Sequence, residues 1–186
     1  MQIEVTKKLF TVDEYYRMAD AGILGPDDRV ELIDGEIIQM TPIGVRHAGQ
    51  VQRGNRLFAT ALAGRAAINV QNPLELDDYN EPEPDIAVLK VRADDYIHKK
   101  VRAEDALLVV EVSDTTFRYD RTVKLPKYAA ARIPEVWIEN LENDELLVFR
   151  DPVGNTYSSA VTLRRGDSVS PVAFPDVVFK VDELLG

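Results

Sequence analysis

The run Leu107-Leu-Val-Val-Glu-Val-Ser113 constrains the chain more than any other stretch. Branched and long aliphatic side chains in close succession fit a pleated strand. With a side-chain period of two, Leu107, Val109, Glu111 and Ser113 share one face, and Leu108, Val110 and Val112 the other. One member of the apolar series is therefore a carboxylate. Ionised and unpaired there, it would cost several kcal/mol of desolvation. Glu111 requires a cation, and on this segment alone an arginine or a divalent metal ion meets that requirement equally well.

The neighbouring segments supply a fold around this strand. Thr11-Val-Asp-Glu14 has the capping-box spacing and predicts a short helix ending near Gly22. Asp34-Gly35, between Val30–Ile33 and Glu36–Met40, predicts a tight hairpin. Apolar residues at Val51, Leu57, Phe58, Ala61 and Leu62 predict a helix over 45–62 that stops at Gly64, although Gly49 and Gly54 weaken it. Strands are predicted over 67–76, 84–90 and 157–163, with a hairpin formed by 135–140 and 145–149 that buries Trp137. Asp120–Arg132 reads as a helix that Pro126 kinks or restarts, and residues 181–185 as a last helical turn. This order predicts an α/β (α+β) domain with a mixed central sheet flanked by helices and additional hairpins.

A length of 186 residues predicts one domain spanning 1–186. The chain has no cysteine, so disulfides, thiol redox chemistry and Cys-based zinc sites are excluded. The opening Met-Gln-Ile-Glu-Val-Thr-Lys-Lys has no apolar run behind its basic pair, and no stretch of about 18 apolar residues occurs. Membrane spanning and secretion are not expected, and a cytoplasmic location is. The net charge of −10 opposes attraction to a polyanion. Against it stand two basic groups: Arg92, Lys99, Lys100 and Arg102, and Arg118, Arg121, Lys124 and Lys127.

Two further segments extend the chemistry of Glu111. In Glu-Pro-Glu-Pro-Asp85-Ile-Ala-Val-Leu, Pro84 cannot donate to a central ladder and so marks the first position of a strand, with Asp85 at its mouth. A lone Pro-Asp pair is more often a solvated turn. A second strand carrying its own acid changes that balance, because carboxylates on adjoining strands can hold one hard cation. In Asp120-Arg-Thr-Val-Lys124, a lysine after the strand of Glu111 would stabilise charge developing on a phosphate, though taken alone it reads as a solvated helix lysine. His47, opening a helix, is a candidate acid or substrate-orienting group, or simply a surface or capping residue. Tyr128 fits either the core or the site.

Glu31-Leu-Ile-Asp-Gly-Glu36, His47, Pro84-Asp85, Val110-Glu-Val-Ser113, Tyr119-Asp-Arg-Thr-Val-Lys124, Tyr128 and Ile133-Pro-Glu-Val-Trp-Ile138 occur in an order that resembles the Uma-two (Uma2) family of predicted endonucleases, a branch of the PD-(D/E)XK superfamily. The resemblance covers most of the chain. It implies a restriction-endonuclease-like core, Mg²⁺ or Mn²⁺ as cofactor, Asp85 and Glu111 as metal ligands, and Glu31 as an additional acid. It also implies hydrolysis of DNA phosphodiesters, and a homodimer, since two sites on a two-fold axis suit two strands. Two departures stand out. Ser113 occupies the superfamily's lysine position, so Lys124 would have to reach back from the following helix. Arg132 stands where relatives have glycine, so that helix is expected to end differently. The alternative is a non-catalytic binding or assembly module that keeps the fold and pairs its acids with Arg118 or Arg121.

Overall fold

A computed structural model describes residues 6–25 and 27–186; the expectation drawn from the first residues lies, for 1–5, outside them. Helix α1 (Val12–Asp20) starts at Thr11, whose hydroxyl accepts the Glu14 amide at 3.2 Å while the Glu14 carboxylate accepts the Thr11 amide at 3.0 Å. Strands β1 (Val30–Ile33) and β2 (Glu36–Gln39) pair antiparallel about Asp34-Gly35, where φ is +52° and +71°. That left-handed pair is what a two-residue hairpin demands. Gly35 is fixed sterically as well, because a Cβ there would lie 2.8 Å from that of Leu9.

Helix α2 (Val45–Ala61) buries Val51 and Phe58, with Leu62 just beyond its end, whereas Ala61 is exposed, so the apolar stripe is narrower than the sequence suggested. Gly54 has a packing reason: a Cβ would come 2.6 Å from Ile86 Cδ1, so this helix lies close on the sheet. The sheet has six strands: β3 (Ala67–Val70), β4 (Ile86–Leu89), β5 (Ala106–Ser113), β6 (Glu135–Asn140), β7 (Glu145–Val153) and β8 (Thr156–Leu163). They lie in that order, with β5 and β6 parallel and every other pair antiparallel.

Three local readings need correction. The strand expected over 67–76 ends at Val70. Gln71 turns left-handed at φ +49°, and residues 74–76 bond instead to Pro82, Val101 and Asn80. Leu107 does not face with Val109. Val88 pairs with Leu108 and Leu89 with Ala106, leaving Leu107 bulged and packed on the opposite core with Leu108. A bulge breaks period-two alternation at that point. Arg132, finally, keeps the left-handed helix cap at φ +65°. The paired bonds Ile133 N–H to Tyr128 O and Arg132 N–H to Ala129 O, both 3.0 Å, form a Schellman closure that holds a non-glycine residue there.

A parallel β5–β6 pair needs a crossover, and its shape positions the chemistry. It consists of a short turn α3 (Phe117–Tyr119), a π-helical turn over Asp120–Lys124, and α4 (Leu125–Ala130). Pro126 falls in the first turn of α4, the restart its ring requires. One face of the sheet is covered by α2, by β9 (Ser168–Val169) with β10 (Phe179–Lys180), and by α5 (Val181–Leu185). There Phe58, Trp137 and Phe179 pack with ring centroids 4.9–6.1 Å apart. The other face is covered by α4 through Tyr128 and Ala129, with Ile133 beyond it. No helix among the described residues is long and apolar enough to cross a membrane.

Candidate active site

The ladder between β4 and β5 matches Ala87 with Val109 and Ile86 with Val110, so the next step sets Asp85 against Glu111. Both carboxylates then fall on the face covered by α4. The contacts agree: the Asp85 amide lies 3.4 Å from Glu111 Oε2, and the Val112 amide donates to Asp85 Oδ2 at 2.8 Å. The other Asp85 oxygen, Oδ1, contacts His47 Nε2 at 2.8 Å and accepts Gln71 Nε2 at 3.1 Å. His47 reaches it from the first turn of α2, and Gln71 from the turn that ended β3 early. The hydrogen bond to Asp85 holds the His47 imidazolium above its ordinary range, against the opposing effect of burial.

Glu111 is 2% exposed, and burial drives its pKa well above the carboxylate range, with Asp120 and Asp85 adding to the rise. Lys124 and the Tyr128 hydroxyl oppose that rise. Tyr128 donates to Glu111 Oε1 at 2.5 Å, which places this tyrosine in the core and in the site at once. Lys124 Nζ lies 3.3 Å from Glu111 Oε1 and 3.3 Å from Glu31 Oε2. Burial pulls the ammonium's pKa down, and four carboxylates outweigh it, so Lys124 is held charged. The cation that Glu111 demands is therefore this lysine; neither Arg118 nor Arg121 pairs with the acids among the described residues.

Glu31 arrives from β1, which is tied to the sheet region by a bridge between Leu32 and Glu81. Its carboxylate accepts the Glu83 amide and the Tyr119 hydroxyl, each at 3.2 Å. Asp120 was not singled out from the sequence as a site acid. It is buried, accepts from Ser113 Oγ at 2.7 Å and Thr116 Oγ1 at 2.6 Å, and so ties the end of β5 to the turn that carries Lys124. Burial raises its pKa. Its spacing of four from Lys124 was the available signal. Gln71 had none, because it reaches Asp85 only through the β3–β4 pairing.

Asp85, Glu111, Lys124, Glu31 and His47 thus line one cavity of about 440 Å³. The segment after β2, including Met40, Pro42 and Ile43, contributes to the same lining. Six carboxylates line the cavity, those of Glu31, Glu83, Asp85, Glu111, Asp114 and Asp120, against the Lys124 ammonium, the Arg29 guanidinium and the His47 imidazole, a balance that favours a further cation. Two carboxylates suit Mg²⁺, which binds through one or two acids and keeps several waters. No cluster of three or more His, Asp or Glu poised around one point occurs among the described residues. The first basic group foreseen for a polyanion is spent on ion pairs: Arg92 with Asp94, Lys99 with Glu104, Lys100 with Glu75 and Glu81, and Arg102 with Glu75. In the second, Lys124 is buried and Lys127 pairs with Asp34.

Residues 12–182 match the model of the Uma2 family, described as "Putative restriction endonuclease". Among solved structures, a protein from Anabaena variabilis ATCC 29413, described as "a putative nuclease belonging to DUF820", superposes with a TM-score of 0.72 at 13% identity, over 95% of this chain and 97% of that one. At that identity the likeness is one of fold. No curated protein matches the chain.

Proposed function

The chain belongs to the Uma2 family, and on that premise we propose that it is a metal-dependent endonuclease hydrolysing DNA phosphodiester bonds. One observation carries the reading. The buried Lys124 ammonium stands 3.3 Å from both Glu31 and Glu111, on the same cavity as Asp85. A purely structural ion pair has no need of a cavity or of a surplus of acids beside it.

In this mechanism Asp85 and Glu111 hold Mg²⁺ or Mn²⁺, with Glu31 as an additional acid. The ion supplies polarisation of the phosphodiester and activation of the attacking water. Lys124 stabilises the charge that builds on the phosphate oxygens. Tyr128 fixes the orientation of Glu111, and His47 that of Asp85. A two-fold homodimer would present two such sites to the two strands of one DNA.

A second reading keeps the fold as a binding or assembly module, favoured by the fact that Lys124 already pairs with Glu31 and Glu111. The two separate on incubation of DNA with the protein in Mn²⁺, in Mg²⁺ and in EDTA, beside Glu111→Gln. Metal-dependent cutting that disappears in Glu111→Gln supports the nuclease. Uncut DNA with either metal, together with a melting temperature that Mn²⁺ leaves unchanged, overturns it.

A further inference from the structure

We infer that the strand this site takes has unpaired bases at the scissile phosphate, and that the segment from Met40 to Val45 holds those bases. The inference rests on the nuclease reading for its phosphate and goes beyond it in naming the class of nucleic acid. The residues lining the cavity are of two kinds: the acids, Lys124 and His47, and the apolar Ile38, Met40, Pro42 and Ile43. Ile43 is 42% exposed, and Val45, two residues on at the start of α2, is 92% exposed. In a paired duplex the bases stack inward on one another, so apolar side chains that share a cavity with the phosphate site have no base face to touch. An unpaired or extruded base turns its apolar face to such a lining. Apolar wedges of Ile, Met and Pro are also the side chains that unstack base steps.

The segment is held in place. The Met40 amide donates to Arg29 O at 2.9 Å, the Arg29 guanidinium donates to Thr41 O at 3.1 Å, and the Ala48 amide donates to Gly44 O at 2.9 Å. Charge points the same way. A duplex presents about one negative charge per 1.7 Å, whereas this chain carries −10 and spends Arg92, Lys99, Lys100 and Arg102 on its own acids. With that basic group spent on the chain's own acids, contacts to exposed bases gain weight.

The test uses the Glu111→Gln protein, which holds substrate uncut, and a fluorescein-labelled oligonucleotide presented as a single strand, as a forked duplex and as a blunt duplex at low salt. Anisotropy should give about fivefold tighter binding of the single strand and fork, the low end of what one stacked base contributes. Ile43→Ser with Val45→Ser should remove that preference and leave blunt-duplex binding and the circular dichroism spectrum unchanged, since both side chains are exposed. The wild-type protein in Mn²⁺ should cut the fork in its unpaired arm. Equal or tighter binding of the blunt duplex, or faster cutting of it, overturns the inference while leaving the nuclease intact. Preferential single-strand binding without cutting of any form supports the base-holding segment and sinks the hydrolytic reading instead. Loss of all binding on the double substitution, duplex included, also overturns it.

Discussion

Glu111 and Glu139 sit one register step apart on adjacent parallel strands, Glu139 opposite Val112 and therefore on the other face of the sheet. Both are buried, at 2% and 0% exposure, and burial pushes both pKa values upward. Their surroundings differ. Glu111 meets an ammonium, a phenol and a cavity. Glu139 meets the amide of Gln50 at 2.7 Å, and its Oε1 has no partner among the described residues. Gln50 donates in turn to Leu184 O, so Glu139 pins α2 and α5 to the sheet, its carboxyl pushed toward the neutral form by burial. A buried acid therefore reveals a site only when a cation and an opening accompany it.

Lys124→Met tests the contrast hardest. It strands Glu31 and Glu111 and should cost about 3–5 kcal/mol in urea denaturation at pH 8 in EDTA. The loss should shrink near pH 5, where the raised pKa of Glu111 lets that acid take up a proton, and Mn²⁺ should restore part of it. Unchanged stability in EDTA at pH 8 would erase the distinction between the two acids. Next in size, Glu111→Gln should lower metal-dependent cleavage by about 10²–10³-fold, while Glu139→Gln should leave the rate within about threefold; similar losses in both would break the comparison. Gln50→Leu, which leaves Glu139 and Leu184 O without their donor, should cost about 1–3 kcal/mol of stability and show in the melting temperature.

The last effect is a slope. The pKa of Glu139 stands at about 8, above its ordinary value of 4.5, chiefly through burial. The stability gained from its neutral form is complete below the unfolded value and is lost as pH rises through the folded one. Wild type should therefore weaken between about pH 4.5 and 8 through this group. Glu139→Gln, which cannot ionise, should lack that component and differ by about 1 kcal/mol or less at pH 5. Parallel pH profiles for the two proteins would show that Glu139 is ionised when folded.

Much of the fold was legible because the signals were local. The Thr11 capping box, the Asp34-Gly35 hairpin and the β5 run depend on neighbours in sequence, and each formed as expected. The bulge at Leu107 and the early end of β3 are set by partners far along the chain, and no local pattern announces them. The acids on β4 and β5 could be read as candidates because an acid inside an apolar strand is costly. Gln71 and the hydroxyls on Asp120 could not, since polar residues in loops carry no such signature. Glu139 is instructive: Glu135-Val-Trp-Ile-Glu-Asn140 has the same embedded acid, and the sequence offered no reason to separate it from Glu111.

The π-helical turn over Asp120–Lys124 has a consequence for descent. A turn of this kind holds one residue more than an α-helix needs. With that surplus, Asp120, Lys124 and Tyr128 are all buried toward the sheet. Loss of a single codon between Asp120 and Lys124 would restore regular winding and turn Asp120 about 100° out of phase with Lys124 and Tyr128, while α4, the strands and both cores keep their places. A lineage carrying that deletion would inherit the architecture and the lysine without the carboxylate that ties β5 to the crossover, and would look like kin long after the site had loosened.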